Sequence, residues 1–452
     1  MSTGLSQEIL EISISPEKQF ANASGKKAKK MVWRNGRRVP LKIISHNRIQ
    51  RLRFDQFSKG MPKTACSSPN VWASDTHKRT VSPSAEKLQH DGPKALKRKK
   101  SYTREEILLL RRVRDGFEHQ GKPRLTEDGT GGVYILTGVK QDPVAVWKPS
   151  NEEAFAPANP RGYTADESPG MYLQHPDSPM RGGFVVGNGF LHERAIFLLD
   201  QNSAIPAGVP TAVIAKAKVG GVNKMPTEVS RCDRVPRRCV VDQPVGSLHQ
   251  YKEHDGTADD YGVKILNKEQ LQRIALLDLR TLNADRHSAN ILVAMKKHDG
   301  KMEEGDGNLI PIDHAFCLPD YLQLEQTTLD WMHWPQAKEK LCDEFVDLVN
   351  QIDIEDDVEL MRETGIAESS IVTLQIGTSM IKTGCSLGLS LSKMTQFCVR
   401  KDPEVPSALE ELISSVEKDM QANPNVKSLK GQLRYVVHHV ASKLPETMKA
   451  FL

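Results

Sequence analysis

The chain has 452 residues, 38% hydrophobic and 26% charged, which is the balance of a soluble globular protein with room for one two-lobed unit and a tail. No stretch approaches the ~18 uninterrupted apolar residues that a spanning helix needs, and the seven scattered cysteines, without a C-x-x-C pair, indicate neither a disulfide framework nor a zinc site. The net charge of +5 hides an asymmetry: residues 1–100 hold 22 Lys and Arg against 7 Asp and Glu, a balance of +15, so the other 352 residues sum to −10.

The opening MSTGLSQEILEISIS has neither the basic start nor the apolar run of a secretory signal, and Ser2 excludes N-myristoylation. The expected compartment is therefore cytosolic, at the cytosolic face of a membrane, or nuclear. Residues 1–101 are rich in Lys, Ser, Pro and Asn with only short apolar runs, so a disordered basic arm is expected. Such an arm suits an anionic lipid surface, nucleic acid or an import receptor, and composition does not choose among them. KALKRKK (94–100) abuts Ser101, a phosphosite pattern beside a basic cluster.

Ordered structure is expected from about residue 102. Thr103 followed by Glu105 and Glu106 signals a helix start, and Ile107, Leu110 and Val113 recur at helical spacing. GTGGVYIL and VAVWKP read as two strands joined by a hairpin. Residues 156–189 carry 11 Gly or Pro and read as an irregular insertion. LHERAIFLLDQ follows as a helix and TAVIAKAKV as a strand, and RCVVDQPVGSLHQY leads out of this sheet-rich half. Beyond residue 265 the candidates are helical: EQLQRIALLDLRTL, PQAKEKLCDEFVDLVNQI, SIVTLQIGTSMIKTG, SALEELISSVEKDM and SLKGQLRYVVHHVASKL. In the last of these, Leu429, Leu433, Val437 and Leu444 form an expected docking stripe. The pattern predicts an α+β, two-lobed protein-kinase-like fold, with a small β-rich lobe at 102–250, a larger helical lobe at 251–425 and a terminal helix at 426–452.

Phosphoryl transfer asks a protein to position two substrates and to neutralise phosphate charge. Each part has a candidate, in the expected order. Gly129, Thr130, Gly131 and Gly132 could cradle phosphates with backbone N–H groups, although a glycine-rich hairpin with no ligand reads the same way. Lys148 ends a strand that can aim its ammonium under that loop, and Glu193 on the next helix is its expected partner. Asp285 and Asn290 stand five positions apart in NADRHSANILV, the spacing of a kinase catalytic loop. Asp285 would accept the hydroxyl proton and Asn290 bind magnesium, with Arg286 and His287 counted as catalytic neighbours. LIPIDHAFCLPD delivers Asp313 as the second metal ligand beyond an expected hairpin. His314 reads as structural.

Taken together, VAVWKPSNEEAFAP, HERAIFLLDQ, VGSLHQY, LDLRTLNADRHSANILV, LIPIDHAFCLPD and WMHWPQAKEKL resemble the phosphatidylinositol 3/4-kinase superfamily, chiefly the type II and plant gamma-type phosphatidylinositol 4-kinases, over about residues 128–420. The resemblance implies that Lys148 contacts ATP, that VGSLHQY is the hinge holding adenine near Gln250 and Tyr251, and that Asn290 and Asp313 bind Mg2+. The implied reaction transfers the γ-phosphate of ATP to the 4-hydroxyl of phosphatidylinositol.

Three departures stand out. Ala315 replaces the glycine usual after Asp-His, residues 154–190 contain no cysteine for palmitoylation, and the N-terminal arm shows no ubiquitin-like pattern. The segment CLPDYLQLEQTTLDWMHW has no Lys or Arg, which suits an unphosphorylated inositide, with Trp331 and Trp334 as candidate interfacial contacts. A Ser/Thr protein kinase and a non-catalytic nucleotide-binding scaffold remain alternatives on this fold. No specific nucleic-acid partner is indicated, and nothing sets an oligomeric state.

Overall fold

The computed structural model describes residues 10–12, 31–34, 37–40, 102–164, 183–217, 244–296, 303–325 and 329–451. The expected disorder of the basic arm, the run at 94–100, Ser101 and much of the 156–189 insertion fall outside these residues. Within the arm, β1 (Leu10–Ile12) stands alone in sequence, while β2 (Met31–Arg34) and β3 (Arg37–Pro40) pair as an antiparallel hairpin.

Helix α1 (Arg104–Glu118) begins with a reciprocal cap: the Thr103 side chain accepts the Glu106 N–H while the Glu106 carboxylate accepts the Thr103 N–H. The small-lobe sheet then collects β4 (Arg124–Leu125), β5 (Tyr134–Thr137), β6 (Pro143–Pro149), β7 (Ala212–Ala217) and β8 (Val245–Gln250) in the order β1-β7-β8-β6-β5-β4. The hairpin expected from GTGGVYIL and VAVWKP is the β5–β6 pair, with Tyr134 opposite Trp147.

Strand alternation assigns the two faces of this sheet. Ala145 and Trp147 of β6 and Leu248 of β8 are buried against Leu109, Leu110 and Val113 of α1. Lys148, one residue on, must lie on the other face, where its cross-strand partner is Ser247. Helix α2 (Gly189–Gln201) packs across that side, against β7, β8 and the large lobe.

The large lobe opens with β9 (Gly256–Thr257) and α3 (Lys268–Thr281), then β10 (Ile291–Met295) and β11 (Gly307–Pro311), which form a small sheet in the order β11-β10-β9. Its helices follow: α4 (Pro335–Lys338), α5 (Asp343–Asn350), α6 (Ile354–Thr364), α7 (Glu368–Ser386), α8 (Leu391–Cys398), α9 (Ala408–Gln421) and α10 (Leu429–Phe451). The core centres on α7, with α3 and α10 laid against it. Among the described residues no helix is long and apolar enough to cross a membrane.

Three expectations are corrected here. The single helix read from PQAKEKLCDEFVDLVNQI is two, because Glu339 adopts extended backbone (φ −74°, ψ 151°) and the chain between them carries Leu341 into the core. Helices α6 and α8, unread in the sequence, start at Asp353 and Ser390, whose side chains accept the N–H of Glu355 and Lys393. On α10 the fully buried stripe is Val436, Val440, Leu444 and Met448; of the expected stripe, Leu444 belongs to it, Leu433 and Val437 pack at its edge, and Leu429 is 68% exposed.

Candidate active site

The centre of the cleft is an ion-pair chain. Lys148 Nζ lies 2.5 Å from Glu193 Oε1 and 3.1 Å from Asp313 Oδ1. These groups come from β6, α2 and the segment after β11, so one ammonium ties both lobes together. Burial works against the charged lysine, yet the Asp313 and Glu193 carboxylates hold its pKa above the usual value. Burial likewise penalises ionised Glu193, but Lys148, then His249 and His314, keep its carboxyl well below the usual range. The backbone N–H of His314 donates to Glu193 Oε2 at 3.0 Å, and Nδ1 of its buried ring lies 3.6 Å from the same oxygen. Asp313 sits at φ +60°, a left-handed conformation that Asp tolerates better than most residues.

The catalytic-loop segment hangs from α3. Asp278 is fully buried, and its carboxylate accepts from Asn283 Nδ2 (2.9 Å), Arg286 Nε (3.0 and 3.1 Å) and Trp331 Nε1 (2.9 Å). Arg286 also donates from Nη1 to the carbonyls of Asn290 and Ile312, both at 2.7 Å. This corrects its grouping with the catalytic residues: at 0% exposure it ties the loop to α3 and to the end of β11. The Asp285 side chain, by contrast, is 45% exposed, with His287 Nε2 3.9 Å from Oδ2, too far for a hydrogen bond. Asn290 Nδ2 donates to the Asp285 carbonyl at 2.9 Å, so its amide oxygen is the atom left for a hard cation. An amide oxygen plus the Asp313 carboxylate is a donor set that fits Mg2+ completed by phosphate and water oxygens.

The glycine-rich loop lies between β4 and β5 and is held to the segment after β6. Gly132 donates to the Glu152 carbonyl at 2.7 Å, and a Cβ there would fall 2.7 Å from Glu152 Cβ, a close approach that favours glycine. Residues unread in the sequence hold the rest. Arg161 donates to the carbonyls of Thr126 (2.5 Å), Glu127 (3.0 Å), Asp128 (2.9 Å) and Gly131 (3.0 Å). Asn159 Nδ2 donates to the Thr130 and Glu153 carbonyls at 2.8 and 2.9 Å.

Glu153 closes the site from behind. Asn188, at the start of α2, makes no side-chain cap, and the Glu153 carboxylate supplies one by accepting from Gly187 (2.8 Å), Gly189 and Phe190. Burial pushes its carboxyl up to about 7, against the pull of those N–H groups and of Lys148. A Cβ on Gly189 would lie 3.1 Å from Ala315 Cβ, so the alanine after His314 is accommodated by a glycine opposite.

The hinge and the two tryptophans complete the cleft's surroundings. The N–H groups of Gln250 and Tyr251 donate to the Thr211 and Val144 carbonyls at 2.8 and 3.1 Å, which leaves the carbonyls and side chains of these two hinge residues as the groups that would face adenine. Trp331 and Trp334 are 0% and 8% exposed, which removes them as interfacial contacts.

A family model for phosphatidylinositol 3- and 4-kinases matches residues 134–389. The chain is 32% identical over 320 residues to phosphatidylinositol 4-kinase gamma 2 of Arabidopsis thaliana, covering 68% of this chain and 54% of that protein. It is 30% identical over 340 residues to phosphatidylinositol 4-kinase gamma 4 of Oryza sativa subsp. japonica, covering 74% and 55%. Phosphatidylinositol 4-kinase gamma 7 of Arabidopsis thaliana is 33% identical over 296 residues, covering 64% and 43%. The chain thus spans about half the length of the relatives it matches.

Proposed function

This chain belongs to the phosphatidylinositol 3- and 4-kinase family, and from that premise we propose that it transfers the γ-phosphate of ATP to the 4-hydroxyl of phosphatidylinositol. The observation that carries the reading is the Lys148 bridge to Glu193 and Asp313, with Asp285 and Asn290 alongside on one loop. Lys148, steadied by Glu193, binds nucleotide phosphate oxygens under the glycine-rich loop. Asn290 and Asp313 would hold Mg2+, which supplies charge neutralisation at the transferring phosphate. Asp285, exposed at the cleft and carried on a loop that Arg286 fixes from beneath, orients the acceptor hydroxyl and takes its proton.

The relatives' names, phosphatidylinositol 4-kinases, support the 4-hydroxyl as acceptor, and the absence of Lys and Arg from residues 317–334 supports a headgroup carrying no further phosphate. Action on a bilayer lipid requires membrane contact, for which the +15 arm offers attraction to anionic leaflets of up to ~1 kcal/mol per basic residue.

The deciding experiment incubates the full chain with Mg2+, radiolabelled ATP and phosphatidylinositol vesicles, with a polypeptide acceptor in parallel. Label in phosphatidylinositol 4-phosphate supports the proposal. Label in the polypeptide alone assigns a protein kinase, and no Mg2+-dependent nucleotide binding at all would leave a scaffold.

A further inference from the structure

Helix α1 lies upstream of the family-matched segment, which begins at residue 134. Its buried face carries Leu109, Leu110 and Val113, and also Glu106, a carboxylate only 1% exposed at a position where an apolar residue would normally sit. One Glu106 oxygen accepts the Thr103 N–H at 2.6 Å, and the other pairs with Arg194 Nη1. Arg194 also donates from Nη1 to the Ala212 carbonyl at 2.5 Å, at the first residue of β7, and its guanidinium lies 5.4 Å from the Phe197 ring centroid.

Arg194 follows Glu193 on α2. Holding the arginine to α1 and β7 therefore fixes the rotation of α2 about its own axis, and that rotation decides whether Glu193 meets Lys148. A buried ion pair adds little net stability over an apolar pair of the same volume, so what it contributes here is register.

We propose that Glu106 and Arg194 are positioning residues: α1 braces α2 so that Glu193 is delivered to Lys148, which makes α1 a working part of the nucleotide site. The inference rests on the reading of Lys148 and Glu193 as the ATP phosphate anchor. It predicts that the Glu106 carboxylate acts on nucleotide affinity only through Glu193.

A double-mutant cycle on the full-length protein tests this, with Mg-ATP affinity read by titration calorimetry and folding by the thermal midpoint. Glu106→Gln is expected to weaken Mg-ATP by about tenfold in folded protein, with Arg194→Lys milder because the charge is kept. In a Glu193→Gln background the same Glu106→Gln change should cost less than about twofold more, because its route to the lysine is already cut. An equal loss in both backgrounds, or an unchanged affinity with only a lowered thermal midpoint, overturns the proposal. Wild-type protein that takes up no Mg-ATP would instead overturn the nucleotide reading on which it rests, whereas wild-type binding with an unmoved Glu106→Gln constant sinks this inference alone.

Discussion

A lysine on the open face of a sheet would keep its ammonium in water, whereas Lys148 is held between two carboxylates from different lobes. Around that group the chemistry divides among single atoms, and the division can be tested. Asp285→Asn keeps the loop's backbone bonds but removes the proton acceptor, so turnover should fall by about 10²–10⁴-fold with Mg-ATP binding retained. Equal turnover in the variant would dismiss Asp285 as the base. Glu153 gives a signal with a defined sign. Its carboxyl is raised by burial from the ordinary 4.5 to about 7, so between those values the folded protein keeps a proton that the unfolded chain has released. Stability must therefore fall as pH rises through that window, by on the order of 3 kcal/mol from this group. Urea unfolding of wild type and Glu153→Gln across pH 4.5–7.5 should show the variant lacking that fall, and parallel curves would contradict it.

At the scale of elements, the glycine-rich loop and the loop that carries Asp285 are each held by an arginine, Arg161 and Arg286, bonded to backbone carbonyls. Arg161 takes four loop carbonyls, so Arg161→Ala should raise KM for ATP by roughly tenfold while changing kcat less, a split that steady-state kinetics reads directly. Asp278 gathers Asn283, Arg286 and Trp331 on one buried carboxylate. Removing it in Asp278→Ala leaves the Arg286 charge buried and unpaired, and about 3–5 kcal/mol of stability should go with it. Denaturant midpoints at constant m would show this, and a loss below about 1 kcal/mol would mean that water or a neighbour replaces the carboxylate.

For the molecule as a whole, the lobes meet along α2, which packs on β7 and β8 on one side and on α6 on the other. The Lys148–Asp313 contact lies across that junction, so the relative placement of the lobes sets the candidate site. The arm is the separable part by charge. A chain lacking residues 1–101 is expected to bind anionic vesicles at least about tenfold more weakly, since each basic residue near a surface adds up to ~1 kcal/mol. Vesicle flotation at two salt concentrations measures this, and retained binding would leave nuclear import or nucleic acid as the arm's role.

By itself the sequence determined the fold class and the order of the parts, because strand alternation, helical spacing and kinase-loop spacing are local patterns, whereas the pairing of Lys148 with Glu193, 45 residues on, was expected only from the kinase template. Lys148 was legible because Trp147 beside it is the apolar half of an alternating strand, and Asp285 and Asn290 because their interval is fixed by a short loop. Only the tertiary structure decided which polar residues serve the chemistry and which carry it. Arg286 and Trp331 look catalytic or interfacial in one dimension, yet both converge on Asp278, which stands in helical phase with Leu271 and Ile274 and could have been noticed there as a charge on a core face. The partners of Arg161, Glu153 and Glu106 lie on other elements, 30 to 35, 34 and 88 residues away along the chain. No pattern in a sequence window spans those distances, because burial and charge pairing are settled only when the elements pack.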